Sequence, residues 1–159
     1  MRIAKATGLL VRCLNHGGKI LICGNGGSAS QADHFAAELV GSGYPCISLT
    51  NPATITAIAN DYGYDAVFSR QINALGEMGR FASDALIMLT TSGTSRNIIT
   101  ANAEAGDLRM VRIALTGEYD DPFSNCDVSL PFKGNTQQVQ EQHLMALHKL
   151  WEGILENRR

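Results

Sequence analysis

Two segments of the sequence combine glycine with small polar residues: GNGGS at residues 24–28 and TTSGTS at residues 90–95. A phosphate group needs several hydrogen-bond donors at close range and no bulky side chain in their way. Glycine lets backbone N–H groups approach, hydroxyl groups add donors, and the N-terminus of a following helix adds partial positive charge. The two segments therefore predict phosphate binding, although serine and threonine are also common at helix starts and in turns.

Two better-known phosphate-binding motifs fit the sequence less well. The first segment continues with Ala29 in place of the third glycine of the dinucleotide motif GxGxxG, and no acidic residue ends the next apolar run near Thr50. A P-loop is excluded, because the sequence contains no Gly-Lys followed by Ser or Thr. Phosphate binding without a lysine in either segment is the interpretation that we favour.

His34 and Glu38 lie four residues apart on the helix that is predicted after the first segment. This spacing puts them on one helix face, one to two turns beyond the predicted phosphate, where they could reach the sugar part of a phosphosugar. A histidine and a carboxylate at this spacing also suit a divalent metal such as zinc. Taken alone, however, such a pair is more often a solvated helix face.

The predicted final helix carries further polar candidates, namely Gln140, Glu141, His143 and His148. At 100° per residue, Glu141 and His148 are about 20° apart around the helix, whereas Gln140 and His148 are about 80° apart. Spacing alone therefore leaves both His143 and His148 open as the functional histidine. On a helix this rich in apolar residues, a histidine is more often part of a core or an interface.

The elements that must position these residues alternate along the chain. Short apolar runs suit strands that are buried on both faces, at 19–23, 46–50, 85–90 and 111–116, with an edge strand at 126–132. Helical spacing is found at 3–15, 28–40, 54–60, 65–75, 95–105 and 136–156. This alternation predicts an α/β fold whose parallel sheet has helices on both faces. Its ligand-binding rim lies after the strands, where both glycine-containing segments occur.

Length and composition predict a single domain over residues 1–159, and the cysteines and the N-terminal segment predict a cytoplasmic location. A formal net charge of −2 gives no electrostatic reason to expect nucleic acid or a membrane surface as a partner. The four cysteines form no CxxC pair, which favours small buried side chains in a reducing compartment. The N-terminal segment has an arginine within its apolar stretch, and it resembles neither a signal peptide nor a membrane span.

Four stretches of the sequence resemble the sugar isomerase (SIS) family, and within it the phosphoheptose isomerases. In chain order they are CGNGGSASQADHFAAELVG (23–41), AIANDYGYDAVFSRQINALG (57–76), TTSGTSRNIITA (90–101) and VQEQHLMALHKL (139–150). The resemblance implies the three-layer SIS fold with a five-stranded parallel sheet. It also implies interconversion of sedoheptulose 7-phosphate and glycero-manno-heptose 7-phosphate by a homotetramer with sites at subunit boundaries.

The resemblance further implies which residues bind the substrate. By position, the phosphate-binding residues are Asn25, Gly26, Gly27, Ser28, Thr90, Thr91, Ser92 and Ser95. Asn60 and Asp61 match positions that contact the sugar chain. Glu38 and Gln140 match substrate-binding positions as well.

A zinc-linked site is implied by the same match, with one Zn²⁺ per subunit. Its residues are His34, Glu38, Gln140 and His148. Glu38 is then the base that takes a proton from carbon, and His148 serves the oxygens, with a cis-enediol between the two steps. The resemblance therefore selects His148 where spacing leaves a choice, and His143 is expected at the surface or in an interface.

Two alternatives to this enzyme remain. One is a non-catalytic SIS-fold adaptor resembling the replication-initiator-associating protein, and the other is an isomerase or sensor of a different sugar phosphate. Such adaptors tend to lack the glutamate and the last histidine, so the presence of Glu38 and His148 favours an enzyme.

Two local features differ from the resembled family. Ser42 stands where a basic residue is common in the family, and the stretch 77–84 looks longer than the family pattern. Separately, Asp120 and Asp121 are expected in a solvated turn.

Overall fold

A computed structural model describes residues 1–77, 84–118 and 123–157 of the chain. The helices and strands are α1 (Arg2–Asn15), β1 (Ile20–Gly24), α2 (Gly27–Gly41), β2 (Cys46–Ser48), α3 (Pro52–Tyr62), α4 (Ser69–Leu75), β3 (Ala85–Thr90), α5 (Arg96–Asp107), β4 (Val111–Gly117), β5 (Val128–Phe132) and α6 (Thr136–Glu156), with a 3-10 turn at Tyr64–Ala66. Most of the stretch 77–84, and the turn expected at Asp120 and Asp121, lie outside the described residues.

The five strands form one parallel sheet in the order β2-β1-β3-β4-β5. Every residue of β1 and β3 is buried, because helices cover both faces of the sheet at its centre. The strand near the C-terminus, β5, lies at an edge, as its sequence predicts. The predicted three-layer α/β fold is confirmed.

Two separate apolar cores attach the helices to the sheet. Alternate residues of β1 point to opposite sides: Ile20 and Ile22 pack in a core with α1, α2 and α6, whereas Leu21 and Cys23 pack in a core with α4 and α5. The two helices that carry the histidine and glutamate candidates, α2 and α6, therefore lie next to each other on one face. This arrangement determines which side chains can meet across the helix interface.

The start of α6 is fixed by reciprocal hydrogen bonds between Asn135 and Gln138. The Asn135 side chain accepts from the backbone N–H of Gln138, and the Gln138 side chain accepts from the backbone N–H of Asn135, both at 3.0 Å. This capping box stops the helix from fraying at the ligand-binding rim. The first residue of α6, Thr136, is thereby held close to the end of the sheet.

Cys13, Cys23 and Cys46 are buried, as the apolar runs around them predict. Burial raises the pKa of the Cys13 and Cys46 thiols to about 12, so both stay protonated at neutral pH. They act as small apolar side chains of the core. Within the described parts of the chain, no helix is both long and apolar enough to cross a bilayer.

Candidate active site

The first glycine-containing segment forms a tight turn between β1 and α2. Gly26 has a φ of 56°, a left-handed conformation that glycine adopts without steric cost. At Gly24, a Cβ atom would lie 2.8 Å from the backbone carbonyl carbon of Ser28, so the turn is too close for a side chain. Among the described residues no side chain caps the N-terminus of α2, although the N–H groups of Ser28 and Ala29 donate to the backbone oxygens of Asn25 and Gly26. The partial positive charge of this helix end favours an anion.

The second segment lies beside the first because β1 and β3 are neighbours in the sheet, with Gly24 paired to Leu89. Together they line a pocket of about 280 Å³. Its wall contains all eight residues that are predicted to bind phosphate, together with Leu89, Thr136 and Gln140. The structure therefore brings both segments into one site.

Hydrogen bonds within the two segments, and from the first segment to Asn97 and Tyr64, hold the pocket in shape. Asn25 and Asn97 pair through their side-chain amides, each donating to the other at 2.9 Å. The Tyr64 hydroxyl donates a further bond of 3.1 Å to the Asn25 side-chain oxygen. In the second segment, the Thr90 hydroxyl oxygen accepts from the N–H of Gly93 at 3.1 Å. The pocket is thus largely organised before a ligand arrives.

Gly27 and Gln140 approach each other where α2 meets α6. A Cβ atom at position 27 would lie 2.8 Å from the Gln140 side-chain nitrogen, so only glycine lets this side chain lie over the turn. Gln140 also lines the pocket, as its expected role in substrate binding requires. Its expected role as a metal ligand stays a prediction.

His34, Glu38 and His148 form a cluster on the adjoining turns of α2 and α6. The Nε2 atoms of the two histidines are 3.0 Å apart, and Glu38 Oε2 lies 3.5 Å from Nε2 of His34 and 3.9 Å from Nε2 of His148. The two imidazole rings meet edge to face at 5.3 Å. The Glu38 side chain is 25% exposed, whereas those of His34 and His148 are 47% and 43% exposed. The cluster therefore opens to solvent on its histidine side.

The donor atoms of this cluster fit a zinc ion. All three lie within 4.8 Å of one another. Neighbouring ligand atoms in a tetrahedral zinc site are about 3.3 Å apart, given Zn–N distances of about 2.0–2.1 Å. In addition, Glu38 Oε2 is buried and has no hydrogen-bond partner among the described residues, which is costly unless a ligand satisfies it. His34, Glu38 and His148 could therefore hold a metal without large rearrangement.

Two predicted sugar-binding residues lie apart from the pocket wall. Asn60 and Asp61 are exposed near the end of α3, and the Asn60 amide donates to the Asp61 carboxylate at 2.9 Å. They are not among the residues that line the pocket within this chain. Their role as sugar contacts stays a prediction, and it would need a ligand or a neighbouring subunit to reach them.

His143 is fully buried, so the expectation that it lies at the surface or in an interface is wrong. Its Nε2 atom is 3.3 Å from the backbone carbonyl oxygen of Thr116, and its ring packs edge to face on Phe132. Burial lowers the pKa of His143 from 6.5 to about 4. The helix turns this residue toward the sheet, and it is His148 that faces the α2 pair.

Sequence reasoning missed three residues that contribute to the pocket: Asn97, Thr136 and Tyr64. Asn97 is only 2% exposed and lies at an inward-facing position of α5, where an apolar residue would be expected. A polar residue at such a position signals a specific partner, because buried amides are costly without one. Thr136 and Tyr64 carry no comparable signal, since each lies at the boundary of an element.

Comparison with known proteins identifies relatives over nearly the whole chain. A family model described as "SIS domain" matches residues 1–117. The phosphoheptose isomerase of Shewanella sediminis is 46% identical, covering 96% of this chain and 81% of its own length. That of Helicobacter pylori strain P12 is 45% identical, with coverages of 92% and 79%. The structure of the phosphoheptose isomerase from Neisseria gonorrhoeae aligns with a TM-score of 0.90 and 40% identity, covering 98% of this chain and 85% of that one.

These similarities confirm the predicted fold and the predicted class of enzyme, a phosphosugar isomerase. They do not favour the non-catalytic adaptor, since these relatives are named as isomerases. The match to the family model, the identity to several relatives and the shared fold show that this chain belongs to the SIS domain family and, within it, to the phosphoheptose isomerases.

Proposed function

We propose that the protein interconverts sedoheptulose 7-phosphate and D-glycero-D-manno-heptose 7-phosphate. One observation carries the proposal: the start of α2 lines a pocket of hydroxyl, amide and glycine residues, and farther along the same helix His34 and Glu38 form a cluster with His148. His34 lies seven residues from Gly27, which is about 10 Å of helix. This span suits a sugar whose phosphate is at the opposite end from its carbonyl group.

The phosphate end would bind through neutral donors. The pocket is lined by hydroxyl, amide and glycine residues, and no lysine or arginine is among its described lining residues. The N-terminus of α2 supplies partial positive charge, and hydroxyl groups of Ser28, Ser92 and Ser95 can donate to the phosphate oxygens. Such a site orients the substrate and leaves the chemistry to the cluster on α2 and α6.

The carbonyl moves between C1 and C2 through two proton transfers. Glu38 takes the proton from one carbon and returns it to the neighbouring carbon, while His148 moves a proton between the two oxygens. A cis-enediol lies between these steps. The contact between the two side chains, with 3.9 Å between Glu38 Oε2 and His148 Nε2, supports their action on adjacent atoms of one substrate.

The cluster also suits Zn²⁺ as the cofactor, held by His34, Glu38 and His148, with Gln140 added by family resemblance. A bound zinc ion would polarise the carbonyl oxygen and stabilise the negative charge that develops there. Glu38 cannot serve fully as a metal ligand and as a free base at the same time. Activity assays with zinc added and with zinc removed therefore tell whether the metal assists or inhibits the proton transfer.

A homotetramer with its sites at subunit boundaries is part of the proposal. The exposed positions of Asn60 and Asp61, which do not line the pocket of this chain, support it, since a site shared between subunits could bring them to the sugar. Light scattering should give the mass of four chains, and a monomer that is fully active would contradict it. A cytoplasmic location is proposed on the buried thiols, and cell fractionation tests it.

The direct test is conversion of sedoheptulose 7-phosphate by purified protein, followed by separation of the two sugars. A hexose 6-phosphate serves as the comparison substrate, because the pocket recognises phosphate and hydroxyl groups rather than chain length. Faster turnover of the heptose supports the proposal. Faster turnover of the hexose would assign a different sugar phosphate, and binding without turnover of either would leave a sensor or adaptor.

A further inference from the structure

Besides the contact between His34 and His148, two hydrogen bonds among the described residues connect α2 and its C-terminal end to α6, one on each side of the histidine–glutamate cluster. Toward the helix N-termini, the Gln31 side-chain amide donates to the backbone oxygen of Gln140 at 2.7 Å. Toward the C-termini, the Trp151 indole N–H donates to the hydroxyl oxygen of Ser42 at 3.2 Å. The two helices therefore run parallel, with the cluster between these two connections.

The two connections have the same spacing on both helices. Gln31 and Ser42 are eleven residues apart, and so are Gln140 and Trp151. Eleven residues are close to three helical turns, so both connections lie on the faces that the helices turn toward each other, about 16 Å apart. The two hydrogen bonds therefore set the register of α2 against α6.

The Ser42 hydroxyl connects Trp151 to Glu38, the residue that is proposed as the base. Ser42 follows the last residue of α2, and its hydroxyl donates to the backbone oxygen of Glu38 at 2.8 Å while accepting from Trp151. On the other helix, Trp151 lies three residues after His148, which is one turn. The bridge formed by Ser42 and Trp151 thus joins the turn that carries Glu38 to the turn that carries His148.

Apolar packing alone does not set the distance between these two turns. Leu39 and Leu147 lie in the core that α2 and α6 share, but apolar contacts are non-directional and tolerate small shifts along the helix axis. The side chains of the cluster are themselves partly exposed, so neighbours do not confine them on all sides. A directional bond one turn away can therefore hold their relative position.

We infer that Ser42 and Trp151 are positioning residues, whose hydrogen bond holds Glu38 and His148 at the separation needed for proton transfer. The inference rests on the proposed function for its catalytic consequence. The structural part of the inference is that this hydrogen bond controls the distance between α2 and α6 at the cluster. That part does not depend on the substrate.

The test compares Ser42→Ala and Trp151→Phe, which each remove one partner of the bond, with Ser42→Thr, which keeps the hydroxyl. Ser129→Ala is the matched control, because that hydroxyl is buried in β5 without a hydrogen-bond partner among the described residues. We expect Ser42→Ala and Trp151→Phe each to lower kcat about fivefold, the factor that corresponds to one neutral hydrogen bond. KM should stay within about twofold, because the phosphate pocket is not touched.

The double variant Ser42→Ala/Trp151→Phe should be no slower than either single variant, since both remove the same bond. Ser42→Thr and Ser129→Ala should keep the wild-type kcat. A lower melting temperature with unchanged kcat in both single variants would overturn the inference and leave the bridge a purely structural contact. Fully additive losses in the double variant would also overturn it.

A second readout separates this inference from the proposed reaction. Imidazole NMR spectra of metal-free protein report the contact between His34 and His148 without substrate or zinc. These signals should shift in Ser42→Ala and Trp151→Phe and stay in place in Ser129→Ala. If the wild type converts no sugar phosphate, the proposed reaction fails, and unchanged histidine signals in the two variants would then overturn the inference as well.

Discussion

The Nε2 atoms of His34 and His148 face each other at 3.0 Å, although the two residues are 114 positions apart in the chain. Two imidazole nitrogens at this distance repel unless one carries a proton that the other accepts, or a cation lies between them. Glu38 Oε2 lies 3.5 Å from the nearer of these atoms and has no hydrogen-bond partner in the described part of the chain. The cluster is therefore prepared for exchange of a proton or binding of a metal.

Zinc binding should depend on both histidines. Replacing His34 by Ala removes one of the three clustered donor atoms, and we expect at least a tenfold loss of zinc affinity, as changes around metal sites commonly cause. Competition with a chromophoric chelator measures this. His16→Ala is the control, because His16 is exposed and bonds the backbone of its own helix, α1. Equal affinities of the two variants would exclude this cluster as the zinc site.

Gly27→Ala should damage substrate binding more than stability. The new Cβ atom would lie 2.8 Å from the Gln140 side-chain nitrogen, and this flexible side chain would have to leave the pocket wall. We expect KM to rise about tenfold, equivalent to about 1.4 kcal/mol of lost binding, with little change in melting temperature. Gly8→Ala in α1 is the control, because its Cβ would meet no atom within 4 Å. An unchanged KM would show that Gln140 has no part in binding.

Asn97→Ala should weaken both the fold and the phosphate site. It removes the partner that bonds both ends of the partly buried Asn25 amide, whose oxygen then keeps only the bond from Tyr64. The loss of these two hydrogen bonds should cost about 1–3 kcal/mol. Chemical denaturation should show the loss of stability, and titration with inorganic phosphate should show weaker binding. Asn73→Ala, which removes an exposed bond to Glu104, is the matched control. Phosphate affinity equal to that of the wild type would contradict the role given to the pair.

His143 should make the fold less stable in mild acid. Burial lowers its pKa from 6.5 to about 4, so between these values the unfolded chain binds a proton that the folded chain does not. Stability is therefore complete above pH 6.5 and falls as the pH drops toward 4, by up to roughly 3 kcal/mol. Urea unfolding across this range should show the loss in the wild type. His143→Leu should lack this part of the pH dependence, and an identical pH dependence in both proteins would contradict it.

The fold was largely predictable because its strands are buried on both faces. Runs such as ALIMLT at 85–90 contain no polar alternation, which is typical of central parallel strands, and the glycine-containing segments after them mark the ligand-binding rim. The pairing of His34 with Glu38 was also accessible, since it depends only on helical spacing. These features are local in sequence.

Contacts between different helices and strands could not be predicted from residue spacing along the sequence. The choice between His143 and His148 depends on the rotation of α6 about its axis, which packing against the sheet and α2 determines. The burial of His143 against Thr116 was missed for the same reason. Likewise, the bond between Ser42 and Trp151 joins residues 109 positions apart, and neither one is unusual in its local context.

The central claim is that Glu38 transfers the proton in a sugar phosphate isomerase, and the most direct measurement is the kcat of Glu38→Gln with sedoheptulose 7-phosphate. Glutamine keeps the size of the side chain but cannot accept the proton, so kcat should fall by at least about 10²-fold. Substrate should still raise the melting temperature, since the phosphate pocket is intact. Glu141→Gln, an exposed change on α6, should retain full activity. Wild-type turnover by Glu38→Gln would contradict the claim.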